Sequence, residues 1–393
     1  MIKDLDKEME KRNLDGIIVS GKSSFASPEF LYVTRCTLPR GGMYIKKVNG
    51  EEVLIVSNID LENAKEGRVK KVKTFQDLGY YELLKKYGKN TNIIFYEKVL
   101  KELGIEGKIG IYGEVNAPRF LKFVRELENK GYSIHHESSP TLFDILRKTK
   151  DKYEIEEIEK AGKITKKVFG NLIEFFSSCK IKNGKLIYKN KYLTARKLKA
   201  VIKQFSQEKL PEISYPEDML VAVGKKAFNP HYLGKEEEIV VNRPIIIDLF
   251  PRIESGYWFD MTRTFVIGKA SKQVKKLYEE VKEAQQIAFD SIEVEISAKE
   301  VEEKVIEFLR KRGHEIYSKE GYLHSLGHGI GLTISDLPNI SIYSEDMIEN
   351  GNVFTVEPGL YYKRIGGIRI EDVVLVKKGK PEILSEFERE IEV

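Results

Sequence analysis

Cysteine is nearly absent: Cys36 and Cys179 are the two in 393 residues. Two cysteines in so long a chain build no disulfide framework, and both read as small buried hydrophobes, so a reducing cytoplasm is the expected setting. No stretch reaches membrane-spanning length without charges, and Met1 to Glu10 carries no apolar signal region. An excess of one charge sign is lacking too. The 66 Lys and Arg are interspersed among 61 Asp and Glu, for a net charge of +5. That balance argues against nucleic acid as a partner. There is no internal repeat and no low-complexity tract. What remains, 41% hydrophobic and 32% charged residues, is the composition of a soluble globular protein with room for two domains.

The first third alternates strand-like and helix-like segments. An amphipathic helix from about Ile2 precedes the apolar strand Gly16 to Ser20. Further strands fit Gly42 to Ile45, Val53 to Ser57 and Lys108 to Gly113, with a helix from Ala117 to Lys130. This spacing predicts an α/β domain. It holds no catalytic constellation; His135 and His136 are adjacent, so on a strand they face opposite ways. Ser138-Ser139-Pro140 marks a boundary, giving domains 1–140 and 141–393.

Beyond it, Ile155, Ile158, Ala161, Ile164, Val168 and Leu172 form the apolar stripe of one long helix. A second helix is expected from about Leu193 to Leu210. A third carries Val274, Leu277, Tyr278 and Val281, and a fourth opens with the capping box Ser297 to Glu300. Strands fit Met219 to Val223, Arg243 to Leu249, Trp258 to Ile267, Asn352 to Val356 and Ile368 to Val376. The second domain is therefore read as α+β, with helices over a mostly antiparallel sheet.

Five residues in this half carry chemistry. Asp248 ends the apolar run Pro244 to Ile247, and Asp260 follows twelve residues later, a spacing that suits a hairpin-like return. His328 sits among Gly327, Gly329 and Gly331, where glycines permit close backbone approach or positive φ. Glu357 lies in Thr355-Val356-Glu357-Pro358-Gly359. Glu371 follows Arg369 by two, so on a strand both share a face, and the arginine helps keep the carboxylate ionised. Each residue alone has an ordinary reading: a turn aspartate, a core histidine, a surface ion pair. Together, four carboxylates in one pocket demand positive charge, and two divalent ions supply it. Without a thiolate the site is hard: manganese, cobalt, iron or zinc would suit it, a structural zinc finger would not.

These five positions, with Asp260-Met261-Thr262-Arg263-Thr264-Phe265, resemble in order and context the ligand motifs of the pita-bread metallopeptidases, the family of prolidase, aminopeptidase P and methionine aminopeptidase. The resemblance is strong from about residue 141 onward. The N-terminal domain is similar in style to the creatinase/prolidase N-terminal domain, including Leu31-Tyr32-Val33-Thr34, which favours prolidase or aminopeptidase P. The resemblance implies an α+β fold with a pita-bread catalytic domain, and a two-metal hydrolase, with manganese or cobalt first, cleaving Xaa-Pro dipeptides through a metal-bridging hydroxide. Asp248 would hold one metal, His328 and Glu357 the other, and Asp260 and Glu371 would bridge. Glu357 would shuttle a proton. His231, in Ala227-Phe228-Asn229-Pro230-His231, would stabilise the tetrahedral intermediate, and His324 matches another cleft histidine; both are implied as catalytic residues and, with Arg369, as substrate-binding ones. A homodimer is also implied. His314, after Lys311-Arg312-Gly313, reads instead as a surface residue compensating a helix dipole.

Two features depart from the family. Ser335-Asp336-Leu337-Pro338 stands where a His-Glu pair usually precedes proline, and serine is shorter and carries no charge. The aspartate spacing is one residue longer than in prolidase, which a one-residue bulge would absorb. Aminopeptidase P activity on longer peptides, and a non-catalytic binding role, are the alternative readings.

Overall fold

The computed structural model describes residues 1–114, 116–209 and 213–393. They divide into two compact units, Met1–Arg147 and Lys148–Val393.

The first unit is built on a six-stranded sheet. Its strands are β1 (Gly16–Gly21), β2 (Gly42–Lys47), β3 (Glu52–Val56), β4 (Val72–Thr74), β5 (Lys108–Gly113) and β6 (Ser133–Ile134), in the order β4-β3-β2-β1-β5-β6. β1 to β3 form an antiparallel meander, while β4, β5 and β6 each join a neighbour in parallel. Ile18, Ile45, Val53 and Ile109 share a core with Phe95 and Val99 of the helix Thr91–Glu102. The strands read from apolar runs are all present. His135 and His136 lie just past β6 rather than on it.

The second unit begins with α1 (Lys152–Ser178), where Asp151 and Glu154 form a reciprocal capping box at 3.2 and 3.0 Å. Its buried residues Ile158, Ala161, Ile164, Val168 and Leu172 are the stripe visible in the sequence. A small sheet follows, β7 (Lys180–Lys182), β8 (Lys185–Tyr188) and β9 (Lys191–Tyr192), which the sequence reading did not anticipate. Then comes α2 (Ala195–Lys209); the expected end at Leu210 lies outside the described residues. Two further helices, α3 (Lys272–Ser291) and α4 (Ala298–Lys311), pack together, and Ser297 with Glu300 closes the predicted capping box.

Three groups of strands meet beneath these helices. β10 (Leu220–Val223), β11 (Pro244–Leu249) and β12 (Met261–Val266) form an antiparallel sheet. β13 (Gly327–Gly329), β14 (Asp336–Ile340), β15 (Val353–Val356), β18 (Asp372–Lys377) and β19 (Lys380–Ile383) form another, ordered β14-β13-β15-β18-β19, and β16 (Gly359–Tyr362) pairs with β17 (Gly366–Arg369). Val281 of α3 and Val305 of α4 share one core with Phe354, Val356, Ile368 and Val374. Burying each such side chain contributes about 1.5–3 kcal/mol.

Two expectations need correction. The strand read over Ile368 to Val376 is two strands in different sheets, because β17 pairs with β16 and β18 with β15. Glu371 sits in the break between them. The β11–β12 register also runs without a shift, Asp248 facing Thr262 and Leu249 facing Met261. The extra residue between the aspartates is therefore taken up in the connecting loop, where no pairing register constrains length, and not by a bulge.

Candidate metal centre

The connecting loop that carries Asp260 is pinned from two sides. Trp258 N–H donates to Gly331 O at 2.8 Å, tying the loop to the segment after His328. On α1, a Cβ at Gly162 would lie 2.6 Å from the Phe259 ring. The glycine thus lets the helix press on the residue preceding Asp260. Asp248 reaches the same place from the end of β11, across the sheet from Thr262.

His328 sits at a β-bulge: the β13–β14 register shifts between His328 and Gly329, which re-aims the side chain. The flanking glycines serve close approach. A Cβ at Gly327 would meet Thr355 O at 1.9 Å, and one at Gly329 would meet Leu337 O at 2.3 Å. Neither has a positive φ, so of the two uses of glycine open from the sequence, contact is the one realised. His328 Nδ1 lies 3.2 Å from Gly329 O, an arrangement that places the proton on Nδ1 and leaves Nε2 as a ligating nitrogen. Nε2 is 3.5 Å from Glu357 Oε1 and 3.9 Å from Asp260 Oδ2. Ligand atoms of Asp260, His328 and Glu371 all lie within 4.8 Å of one another.

The electrostatics suit the binding of cations. Asp248, Asp260 and Glu371 are at most 6% exposed, and Asp248 Oδ1 and Asp260 Oδ1 are buried without a hydrogen-bond partner. Burial pushes the Asp260 carboxyl well above the carboxylate range, reinforced by Glu371, Asp248 and Glu357. Burial, with Glu357 and Asp248, does the same to Glu371. Glu357 is pushed up to about 8, mainly by burial and further by Asp248. Buried, orphaned carboxylate oxygens gathered around one imidazole nitrogen fit hard divalent ions.

Arg369 sits behind the carboxylates, 3% exposed. Its Nη2 pairs with Asp248 Oδ2, its Nη1 donates to Tyr361 Oη at 3.1 Å and Pro230 O at 3.2 Å, and its Nε donates to Thr262 Oγ1 at 3.2 Å. Since Tyr361 Oη accepts from Arg369, its own proton points to His324 Nε2, 2.8 Å away, and His324 Nδ1–H then donates to Ser325 O at 2.9 Å. Burial and the nearby Arg369 charge lower the His324 pKa to about 3, so the ring is neutral. Both of its nitrogens are engaged. His231, by contrast, is exposed, and neither ring nitrogen has a protein hydrogen-bond partner among the described residues. Both histidines line one cleft with the five carboxylate and imidazole residues and Ser335.

His314 does not read as predicted. It bonds Tyr362 Oη at 2.6 Å and Glu280 Oε2 at 3.1 Å, with only 7% of its side chain exposed, because α3 and β16 close over the end of α4. The sequence reading also missed Thr262 and Tyr361 as members of the site. Thr262 stood inside a quoted motif and Tyr361 two residues past another, but neither is a metal ligand or an ionised group, so nothing in their chemistry singled them out.

A carboxylate-rich, single-histidine centre on this two-unit α+β fold defines a metallohydrolase class. The profile of metallopeptidase family M24 matches residues 156–378, and the chain belongs to that family. It is a metallopeptidase with the prolidase-like architecture, an N-terminal α/β domain followed by a pita-bread domain. It is 32% identical over 390 residues to the Xaa-Pro dipeptidase of Pyrococcus furiosus, covering 98% of both chains. It is 30% identical to the Xaa-Pro dipeptidase of Pyrococcus horikoshii, over 99% of this chain and 98% of that one. The crystal structure of the prolidase from Pyrococcus horikoshii OT3 superposes with a TM-score of 0.77 at 26% identity, covering 99% of each. Among the described residues, no helix is long and apolar enough to cross a membrane.

Proposed function

We propose that this protein hydrolyses the peptide bond of Xaa-Pro dipeptides with two divalent metal ions, manganese or cobalt in first place. The observation that carries the reading is the convergence of Asp248, Asp260, His328, Glu357 and Glu371, in a chain matched end to end by Xaa-Pro dipeptidases. Asp248, Asp260, His328, Glu357 and Glu371 would hold the ions between them. When bound, the pair supplies an activated water and polarises the scissile carbonyl.

The chain's own groups do the rest. Glu357 would take the proton of the attacking water on a carboxylate oxygen and pass it to the leaving proline nitrogen. His231, with its ring free, donates to the oxygen that gains charge in the transition state. His324 accepts from Tyr361 Oη and so fixes the phenol against Arg369. Arg369 acts on the substrate side by fixing Pro230 O, next to His231, and Asp248 in one frame. A homodimer in the cytoplasm belongs to the same reading.

The test is hydrolysis of Leu-Pro and Met-Pro beside a non-proline dipeptide after metal loading. Cleavage confined to the proline substrates, and lost in His328→Ala, is expected. Intact Xaa-Pro peptides at high enzyme concentration overturn it. An aminopeptidase P activity would show as cleavage of longer Xaa-Pro peptides, and a non-catalytic role as a site that takes up no metal.

A further inference from the structure

Ser335-Asp336 is where the sequence departs from its family, and the chemistry proposed above uses neither residue. Residues 330–335 connect β13 to β14 and belong to no strand. Ile334 and Ser335 of this connection line the cleft. Asp336, the next residue, is buried behind it. Its Oδ2 lies 3.6 Å from Lys150 Nζ, and each of the two side chains is 1% exposed. Its Oδ1 accepts from Thr333 Oγ1 at 2.6 Å. Lys150, just before α1, is anchored by its own backbone, whose N–H donates to Gly351 O at 2.7 Å. The backbone of Gly331 lies against the pair: a Cβ there would meet Asp336 Oδ2 at 2.5 Å and Lys150 Cε at 3.0 Å. Glycine at 331 is what lets the connection close over these two charges.

The metal-type residues nearby have supports of their own. His328 N–H donates to Thr355 Oγ1 at 3.1 Å, and Ile330 N–H donates to Val353 O at 3.1 Å. The loop of Asp260 is held by Tyr257 Oη, which donates to the buried Glu154 Oε1 at 3.3 Å, as well as by Trp258. The stretch from Gly331 to Ser335 is instead gathered onto Asp336, through the Gly331 contact and Thr333. A fully buried ion pair is a poor source of stability, because apolar side chains of similar volume do as well or better. Stability alone therefore does not account for one behind the cleft wall. We infer that Lys150 and Asp336 are positioning residues: their buried pair sets the 331–335 wall of the cleft, and with it where Ile334 and Ser335 meet the substrate, without a part in holding metal. The kinetic consequence rests on the Xaa-Pro reading above; the placement of the wall does not.

The experiment uses the manganese-loaded protein, Lys150→Met, and the double variant Lys150→Met/Asp336→Leu. Urea midpoints, kcat and KM for Leu-Pro, manganese affinity, and hydrogen exchange over residues 330–337 are read on each. Lys150→Met takes the ammonium from a buried carboxylate and should lower the midpoint. The double variant, with neither charge present, should recover most of it. KM should nevertheless stay about 10-fold or more above the wild-type value in the double variant, the scale of a displaced substrate contact, with manganese affinity unchanged. Exchange should quicken at 330–337 and not across the rest of the unit. A KM that returns together with the midpoint would mean that the pair serves stability, and overturns the inference. So does a drop in manganese affinity that accounts for the lost activity, or faster exchange spread over the whole unit, whether or not the midpoint recovers. Should the single variant not fold, the double variant carries the test. Should the wild type cleave no Xaa-Pro peptide, the Xaa-Pro reading falls and exchange decides: faster exchange confined to 330–337 in the double variant supports the inference, and unchanged exchange there overturns it.

Discussion

Thr262 Oγ1 donates a 2.7 Å hydrogen bond to Glu371 Oε2, and the same oxygen accepts from Arg369 Nε at 3.2 Å. One hydroxyl thus orients a carboxylate of the centre and anchors the arginine behind it. Replacing Thr262 by Val keeps the shape and deletes the hydroxyl. Metal affinity should fall about 10–100-fold, the usual effect of removing a partner that orients a ligand. Thr262→Ser should restore most of it. Isothermal titration of both variants with manganese checks this; unchanged affinity in Thr262→Val contradicts it.

Arg263 and Asp372 form a second buried pair, 2.7 Å apart with side chains at most 2% exposed. Arg263 also donates to Glu371 O at 2.7 Å, so it braces the break between β17 and β18. Arg263→Met leaves the buried Asp372 with the partly exposed Arg389, 3.3 Å away, as its remaining countercharge. The variant should lose about 3–5 kcal/mol of stability in chemical denaturation. A loss below about 1 kcal/mol would mean that the break is held by other contacts.

Metal uptake should release protons. Without metal, burial holds Asp260 and Glu371 above the carboxylate range and Glu357 at about 8. A carboxyl raised in the fold stabilises it below the unfolded value, and that contribution is lost as pH rises through the folded pKa. Ligation requires the ionised forms, so apparent affinity should climb with pH through the range in which Glu357 ionises. Titrations in buffers of different ionisation enthalpy count the protons. No release at pH 7 contradicts the assignment.

Tyr361 links His324 to Arg369, and Tyr361→Phe leaves one buried donor and one buried acceptor without partners. The expected cost is about 1–3 kcal/mol, with a loss in kcat/KM. Thermal melts and kinetics together check it. If Tyr361→Phe matches the wild type in both, the phenol does not organise the cleft.

The sequence made the five metal-type residues legible because each needs a fixed chemical type at a fixed place in the chain. The α1 stripe and the Ser297 capping box were equally plain, since both are local patterns. What escaped is non-local. The break at Glu371 follows from which strand pairs with which, and the alternation Ile368, Arg369, Ile370, Glu371 running on into Val373 to Val376 reads as one strand. The buried setting of His314 depends on Glu280 and Tyr362, 34 and 48 residues away. The role of Tyr361 depends on the order of donors around it, which a sequence does not display.

Release of proline from Leu-Pro by the manganese-loaded protein, beside Glu357→Gln, is the most direct measurement. The reading advanced here predicts steady release by the wild type and a fall of about 10²–10⁴-fold in the variant, the range for loss of a positioned acid–base group. A wild-type protein that binds two metals per chain and leaves Leu-Pro intact would contradict it.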